Sequence, residues 1–241
     1  MGRKGKMQDA VIESDYLGES MTIKWYLPED FTPFRDYQLC IMHDGDDYFQ
    51  MGRVATLSDQ LHEEMEIEPT IFIGLHYQDR FDRQQKYHPN GKQQKAYISF
   101  LIKEALPFVE DQLHLNPLAS QRALMGDSLA GTLSFMVATQ YSHTFGKVIM
   151  QSPLVNDKVL ERAESANQWN HLEMYHSIGT QETEVKTTSG EKADFLTPNR
   201  NLQELLAPLV NGYTYEEFNG NHTWKYWQKD MKNILVQMFG I

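Results

Sequence analysis

The chain has 241 residues, one cysteine (Cys40) and 22 basic against 33 acidic side chains, a formal charge of −11. One thiol excludes an internal disulfide and any structural zinc site built on two or more cysteines, and a 41% apolar composition is too rich for a disordered chain. The acidic balance, with no basic stripe, excludes nucleic acid as a partner and disfavours an anionic membrane surface. No stretch approaches the roughly 20 apolar residues of a membrane span. Residues 1–9 are basic and are followed by no apolar signal-peptide core, so the expectation is a cytoplasmic chain of one domain over 1–241, with 1–9 flexible. A homo-oligomer is left open.

Ala10–Ser14 and Met21–Tyr26 read as an N-terminal antiparallel hairpin turning at Gly18. Tyr37–Met42 is then an apolar strand ending in the turn His43-Asp44-Gly45, Val54–Met65 has helical spacing, and Thr70–Leu75 is a short buried-type strand. Tyr97–Leu113 repeats apolar residues at three and four, an amphipathic helix. The strand Ala123–Met125, helix Leu129–Gln140, strand Val148–Gln151, helix 156–166, strand Leu172–Ile178, helix Leu202–Val210, strand Tyr213–Phe218 and helix Trp224–Met238 follow. Alternating strands and helices with continuously apolar strands imply a mostly parallel central sheet with helices on both faces. Ligands bind such sheets at the carboxyl ends of the strands. Two long segments, His76–Gln94 and Gln181–Pro198, have no clear period and read as functional loops.

The stretch Gly126-Asp127-Ser128-Leu129-Ala130-Gly131 runs from a strand into a helix with small residues around a serine. A sharp turn there would strain the serine backbone and project its hydroxyl above the sheet, with the Leu129 amide facing a developing oxyanion. Ser128 is the candidate nucleophile; the plain alternative is a helix cap. A serine needs a base, and His222, between the last strand and the last helix, is placed to serve. The acid that orients the imidazole should follow the preceding strand, Leu172–Ile178, where Glu182 is favoured and Glu184 is the alternative; Asp157, after the earlier strand Val148–Gln151, is a weaker one. A second oxyanion donor would be the Asp46 amide, after Gly45. The same turn, with His43, Asp44, Asp46 and Asp47, could suggest a cation, but its spacing fails the calcium-loop pattern, so no metal and no cofactor are expected.

Several of these motifs occur together and in order: His-Asp-Gly at 43–45, Arg83-x-x-x-Tyr87-x-Pro89, the Ser128 turn, Gln151-Ser152-Pro153, Gly179-Thr180-Gln181-Glu182 and Gly220-Asn221-His222-Thr223-Trp224. From about Tyr26 to Trp227 the chain resembles the esterase D and enterochelin-esterase-like branch of the α/β-hydrolase superfamily. The resemblance implies an α/β-hydrolase fold, a small-molecule ester substrate, Ser128 as nucleophile, Glu182 as acid, His222 as base, and an oxyanion hole of the Asp46 and Leu129 amides. The chain departs from the family's Gly-His-Ser-x-Gly-Gly at Asp127 and Ala130.

Asp127 with Asp46 and Asp47 is expected to make the mouth locally negative and to disfavour anionic acyl groups. The segment Asp79–Lys95 sets five cations against two carboxylates and could offset this, with Arg83 either gripping substrate or held in an ion pair. Trp224 and Trp227 share a helix face, to pack on the sheet or to stack on a substrate. The expected activity is carboxylic-ester hydrolysis through an acyl-serine. Siderophore trilactone hydrolysis or thioester hydrolysis of the S-formylglutathione type could use the same groups, and a non-catalytic binding module is the alternative outside enzymes.

Overall fold

The computed structural model describes residues 3–165, 169–187 and 190–241. The chain opens with β1 (Lys6–Ser14) and β2 (Glu19–Leu27), then β3 (Gln38–His43), α1 (Gly45–Gln50), α2 (Val54–Glu63), β4 (Thr70–Leu75) and α3 (Arg80–Tyr87). A long helical stretch follows: α4 (Gln94–Phe100), a π-helical segment (Leu101–Ala105) and α5 (Leu106–Leu113). Next come β5 (Arg122–Asp127), α6 (Leu129–Gln140), β6 (Lys147–Gln151), α7 (Asp157–Glu164) and β7 (Glu173–Gly179). The small hairpin β8 (Val185–Lys186) and β9 (Lys192–Ala193) precedes α8 (Leu196–Leu206), β10 (Gly212–Phe218) and α9 (Trp224–Phe239).

The main sheet has the order β1-β2-β4-β3-β5-β6-β7-β10. β2 runs antiparallel to β1 and β4, and the strands from β4 to β10 are parallel. Strand side chains alternate between faces, and both faces are buried. Leu39, Ile41, Ile71, Ile73, Leu124 and Val148 join one core with the helices from α3 to α8. Their neighbours Cys40, Met42, Phe72, Ala123, Met125 and Ile149 join a second core with α1, α2 and α9. Continuously apolar strands are what two covered faces require.

The structure moves several boundaries. Lys6–Asp9 lies in β1 rather than in a flexible arm, and the Lys4 and Gly5 amides donate to the Asp59 carboxylate at 2.9 and 3.0 Å. Within His76–Gln94, expected as loop, α3 forms because Asp79 caps it, accepting from the amides of Phe81 and Asp82 at 2.7 and 2.9 Å. Its sequence hides the helix: the inward Lys86 is fully buried against Glu19 and Asp82, so the inner face has no apolar stripe. Residues 181–198 hold the β8–β9 hairpin and the first turn of α8, which begins six residues before the expected Leu202; Thr188 and Ser189 lie outside the described residues. So does position 166 of the helix expected over 156–166. The π turn at Leu101–Ala105 precedes Pro107, whose missing N–H breaks the regular helical bonding.

Candidate active site

The cleft at the carboxyl ends of the parallel strands has a volume of about 200 Å³. Ser128, Leu129, Arg83 and His222 line it together, with Phe195 and Leu154 on the apolar side. Ser128 is half-buried between the last residue of β5 and the first of α6. Its backbone has φ 52° and ψ −122°, a conformation costly for any residue with a Cβ. Neighbouring bonds hold it there: its N–H donates to the Gln151 carbonyl at 2.8 Å, and its carbonyl accepts from the Thr132 amide at 3.1 Å. Gly126 is obligatory, because a Cβ there would lie 2.2 Å from the Ala130 carbonyl carbon as strand and helix converge. Ala130, where the resemblance has glycine, fits in full burial. Leu129 is the first residue of α6, so its amide has no intrahelical acceptor.

Glu182 and His222 come from the loops after β7 and β10, adjacent parallel strands. Glu182 Oε2 lies 2.6 Å from His222 Nδ1. Its Oε1 accepts from the Gly179 amide at 2.9 Å and from Ser152 Oγ at 2.6 Å. The Trp227 indole, which can only donate, donates to Ser152 Oγ at 3.0 Å, so the Ser152 hydroxyl proton is free to point at Glu182. With Glu182 accepting on both oxygens, His222 Nδ1 is the donor to the acid, which leaves Nε2 as the ring nitrogen directed away from it. Phe195 and Trp227 pack edge-on against the imidazole, with ring centroids at 4.7 and 4.9 Å. The amides of Phe195 and Leu196 donate to the Glu182 carbonyl, which pins the acid's backbone to the start of α8.

The other carboxylate candidates are elsewhere. Glu184 is exposed and paired with Lys192 at 2.6 Å, which draws its pKa below the ordinary value. Asp157 is exposed in the first turn of α7. Sequence pattern does not reveal the bonds of Ser152 and Trp227 behind Glu182; the Ser152-Pro153 motif at a strand end is the available signal. Ser152 shares the positive φ of Ser128, at 48°.

On the other side, Asp44 has left-handed φ 63°, and Gly45 starts α1 so close to β4 that a Cβ would lie 2.3 Å from the Gly74 Cα. Arg83 forms a two-pronged ion pair with Asp44, Nη2 to Oδ2 at 2.5 Å, and Nη2 also donates to the Asp127 carbonyl at 3.3 Å. Burial works against the Arg83 charge, but Asp44, helped by Asp127, more than offsets it and holds the guanidinium above its ordinary pKa. Trp224 stacks edge-on with Tyr48 and Trp227, at 4.9 and 5.6 Å. It packs the start of α9 and is not among the cleft-lining residues.

The negative mouth expected from Asp46, Asp47 and Asp127 does not form. Asp46 is paired with Lys24 at 2.6 Å. Burial first, and Asp44 second, push the Asp127 carboxyl well above the carboxylate range, and the same two causes raise Asp47. The ionisable side chains that line the cleft are instead Arg83, Lys186, His88 and His222, with Glu191 opposite. Two of the offsetting cations are also engaged, Arg83 with Asp44 and Lys86 in its own buried ion pairs. Of the side chains that suggested a cation at the 43–47 turn, Asp44 is held by Arg83, Asp46 by Lys24, and His43 Nδ1 by the Tyr97 hydroxyl at 3.2 Å. Among the described residues no helix is long and apolar enough to cross a membrane.

Comparison with known proteins gives the family. The family model described as "Putative esterase" matches residues 14–238. A Bacillus subtilis protein, YjcH, itself uncharacterized, is 41% identical over 236 residues, 98% of each chain. Among solved structures, a ferulic acid esterase superposes with a TM-score of 0.81 at 16% identity over 98% of each chain. The enterobactin esterase FES of Shigella flexneri, solved in the presence of enterobactin, also gives 0.81 at 16% identity, over 97% of this chain and 58% of that one. The BES protein of Bacillus cereus gives 0.76 at 16% identity, over 98% and 95%. These structural likenesses show the α/β-hydrolase fold, and the match over nearly the whole sequence places the chain in the Esterase family of hydrolytic enzymes.

Proposed function

We propose that this chain, acting as one domain, hydrolyses small carboxylic esters through an acyl-serine formed on Ser128. One observation carries the reading. Ser128, on its strained strand-to-helix turn, opens into the same cleft as His222, whose Nδ1 is tied at 2.6 Å to a buried, fully hydrogen-bonded Glu182.

His222 Nε2 takes the Ser128 hydroxyl proton as Oγ attacks the ester carbonyl. The negative charge that develops on the carbonyl oxygen is met by the Leu129 amide, at the positive end of α6, and by the Asp46 amide. Glu182 holds the imidazole and balances its charge while it carries the extra proton. Collapse of the tetrahedral intermediate breaks the ester C–O bond, and His222 returns the proton to the leaving alcohol. Water then attacks the acyl-serine, giving its proton to His222; the acid leaves and Ser128 Oγ recovers the proton.

A cleft of about 200 Å³ lies below the usual range of drug-sized sites, roughly 300–1,000 Å³. It suits a small acyl group better than a bulky trilactone, and the apolar wall of Leu154, Val185 and Phe195 suits an acyl chain. Ser128→Ala should lower hydrolysis of p-nitrophenyl acetate by about 10⁴-fold or more with the fold intact. A fluorophosphonate probe should add its mass to the peptide carrying Ser128 in the native protein. An unlabelled Ser128, or full turnover in the variant, would sink the reading.

A further inference from the structure

Asp44 stands at the N-cap of α1, where an aspartate ordinarily accepts from the amide of the second or third helical residue. Here its side chain caps nothing, and its backbone is left-handed, not extended. The side chain, 2% exposed, turns to Arg83, whose Nε lies 3.0 and 2.9 Å from its two oxygens and whose Nη2 lies 2.5 Å from Oδ2. Nη2 also reaches the Asp127 carbonyl. One guanidinium therefore joins the residue that precedes the Gly45 and Asp46 amides to the residue that precedes Ser128. The Asp44 carbonyl accepts from the amides of Asp47 and Tyr48 at 2.9 and 3.2 Å. The Asp46 amide is an earlier first-turn donor, for which the helix supplies no acceptor.

We propose that Arg83 is a positioning residue that holds the Asp44 carboxylate away from the first turn of α1, keeping the Asp46 amide open to the oxyanion and fixed relative to Ser128. The proposal rests on the acyl-serine reading above. Without the guanidinium, the nearest partner for a buried carboxylate at this N-cap is the helix's own N–H, helped by the helix dipole. A donor already occupied by Asp44 cannot stabilise a developing charge. Because the positive charge of Arg83 is already matched by Asp44, its proximity to the cleft does not make it a binding site for an anionic substrate.

The test compares kcat and KM for p-nitrophenyl acetate, which is neutral, and mono-p-nitrophenyl succinate, which is anionic. The proteins are wild type, Arg83→Lys, Asp44→Asn and the double variant Asp44→Asn/Arg83→Gln. The double variant removes both buried charges together and carries the test if either single variant fails to fold through a lone buried charge. Expected is a kcat loss of about 100-fold on both esters in Arg83→Lys, whose single ammonium loses the two-pronged hold, and in the double variant, whose freed carboxamide oxygen can cap the amide, as for removal of one oxyanion donor. Asp44→Asn, whose side-chain oxygen Arg83 still holds, should lose less. KM should stay within about threefold, and the two losses should not add. A loss confined to the anionic ester and expressed in KM would overturn the proposal and make Arg83 a substrate contact. Unchanged kcat in folded Arg83→Lys or in the folded double variant would overturn it as well. Turnover surviving in Ser128→Ala would overturn the acyl-serine reading, and this proposal with it, so the two failures are told apart.

Discussion

The two flanks of the cleft are built by different means. On the His222 side, the buried acid is satisfied by directional bonds: Glu182 accepts from Gly179, Ser152 and His222, and Ser152 in turn accepts from Trp227. On the Asp44 side, ion pairs carry the load, Arg83 with Asp44 and Lys24 with Asp46, and His43 Nε2, His76 Nδ1 and Asp127 Oδ1 are buried without a hydrogen-bond partner among the described residues. The first flank fixes an orientation, which on the proposed mechanism suits an imidazole that must present one nitrogen. The second balances charge, which on the proposed mechanism is enough for backbone amides that need only stay in place and unoccupied. Substitutions on the first flank should therefore register as lost rate, and on the second as lost rate where the Arg83–Asp44 pair is changed and as altered pH dependence of stability where Asp127 is.

The sharpest contrast is between two glutamates two residues apart. Glu182→Gln should reduce kcat by about 10⁴-fold, because the wrong tautomer and an uncompensated imidazolium result. Glu184→Gln, at an exposed pair with Lys192, should change kcat by less than about twofold. Steady-state kinetics on both variants decides it, and equal effects would erase the distinction between a built acid and a surface one.

Ser152→Ala takes one bond from Glu182 and leaves the buried Trp227 N–H without its acceptor. Expected is a stability loss of about 1–3 kcal/mol by urea denaturation, with kcat falling about tenfold as the imidazole loses part of its orientation. Full stability with unchanged kcat would mean that directional bonding on this flank is incidental.

The smallest effect concerns Asp127. Its folded pKa lies well above that of the unfolded chain, through burial and then Asp44. Its contribution is fully present below the unfolded value of about 3.9 and is lost as pH rises toward the folded value, at up to about 1.4 kcal/mol per pH unit. Asp127→Asn removes that loss, so the variant should gain stability over wild type more at pH 7 than at pH 4. Buried His43 and His176 act in the opposite sense. Burial pushes their pKa values down to about 3 and about 4, so their contributions are full above the unfolded histidine value and fade as pH falls below it. Denaturation profiles from pH 4 to 8 separate the two slopes. A pH-independent difference between wild type and Asp127→Asn would remove the charge-balance account of the second flank.

Much of the frame was legible because it depends on local pattern. The bounds of β4 and α6 are those expected from apolar runs and turn residues, and the small residues around Ser128 report a close strand-to-helix approach that any homologous backbone would demand. α3 was not legible, because its inward face is held by ion pairs of Lys86 and Arg83, and periodicity counts only apolar side chains. The negative mouth failed for a related reason: formal charge counts Asp46 and Asp127 alike, whereas Lys24 pairs with one and burial pushes the carboxyl of the other well above the carboxylate range.

The sequence by itself determined the layered α/β frame, the turn at Ser128 and the order in which serine, acid and histidine occur along the chain. These follow from period, residue size and turn chemistry, which act over a few residues. Only the tertiary structure decided which glutamate meets His222, that Arg83 faces Asp44, and that Ser152 and Trp227 stand behind the acid. Those choices join residues 30 to 75 positions apart. Desolvation and directional hydrogen bonding select them, and both depend on what the fold packs around a group, not on its neighbours in sequence.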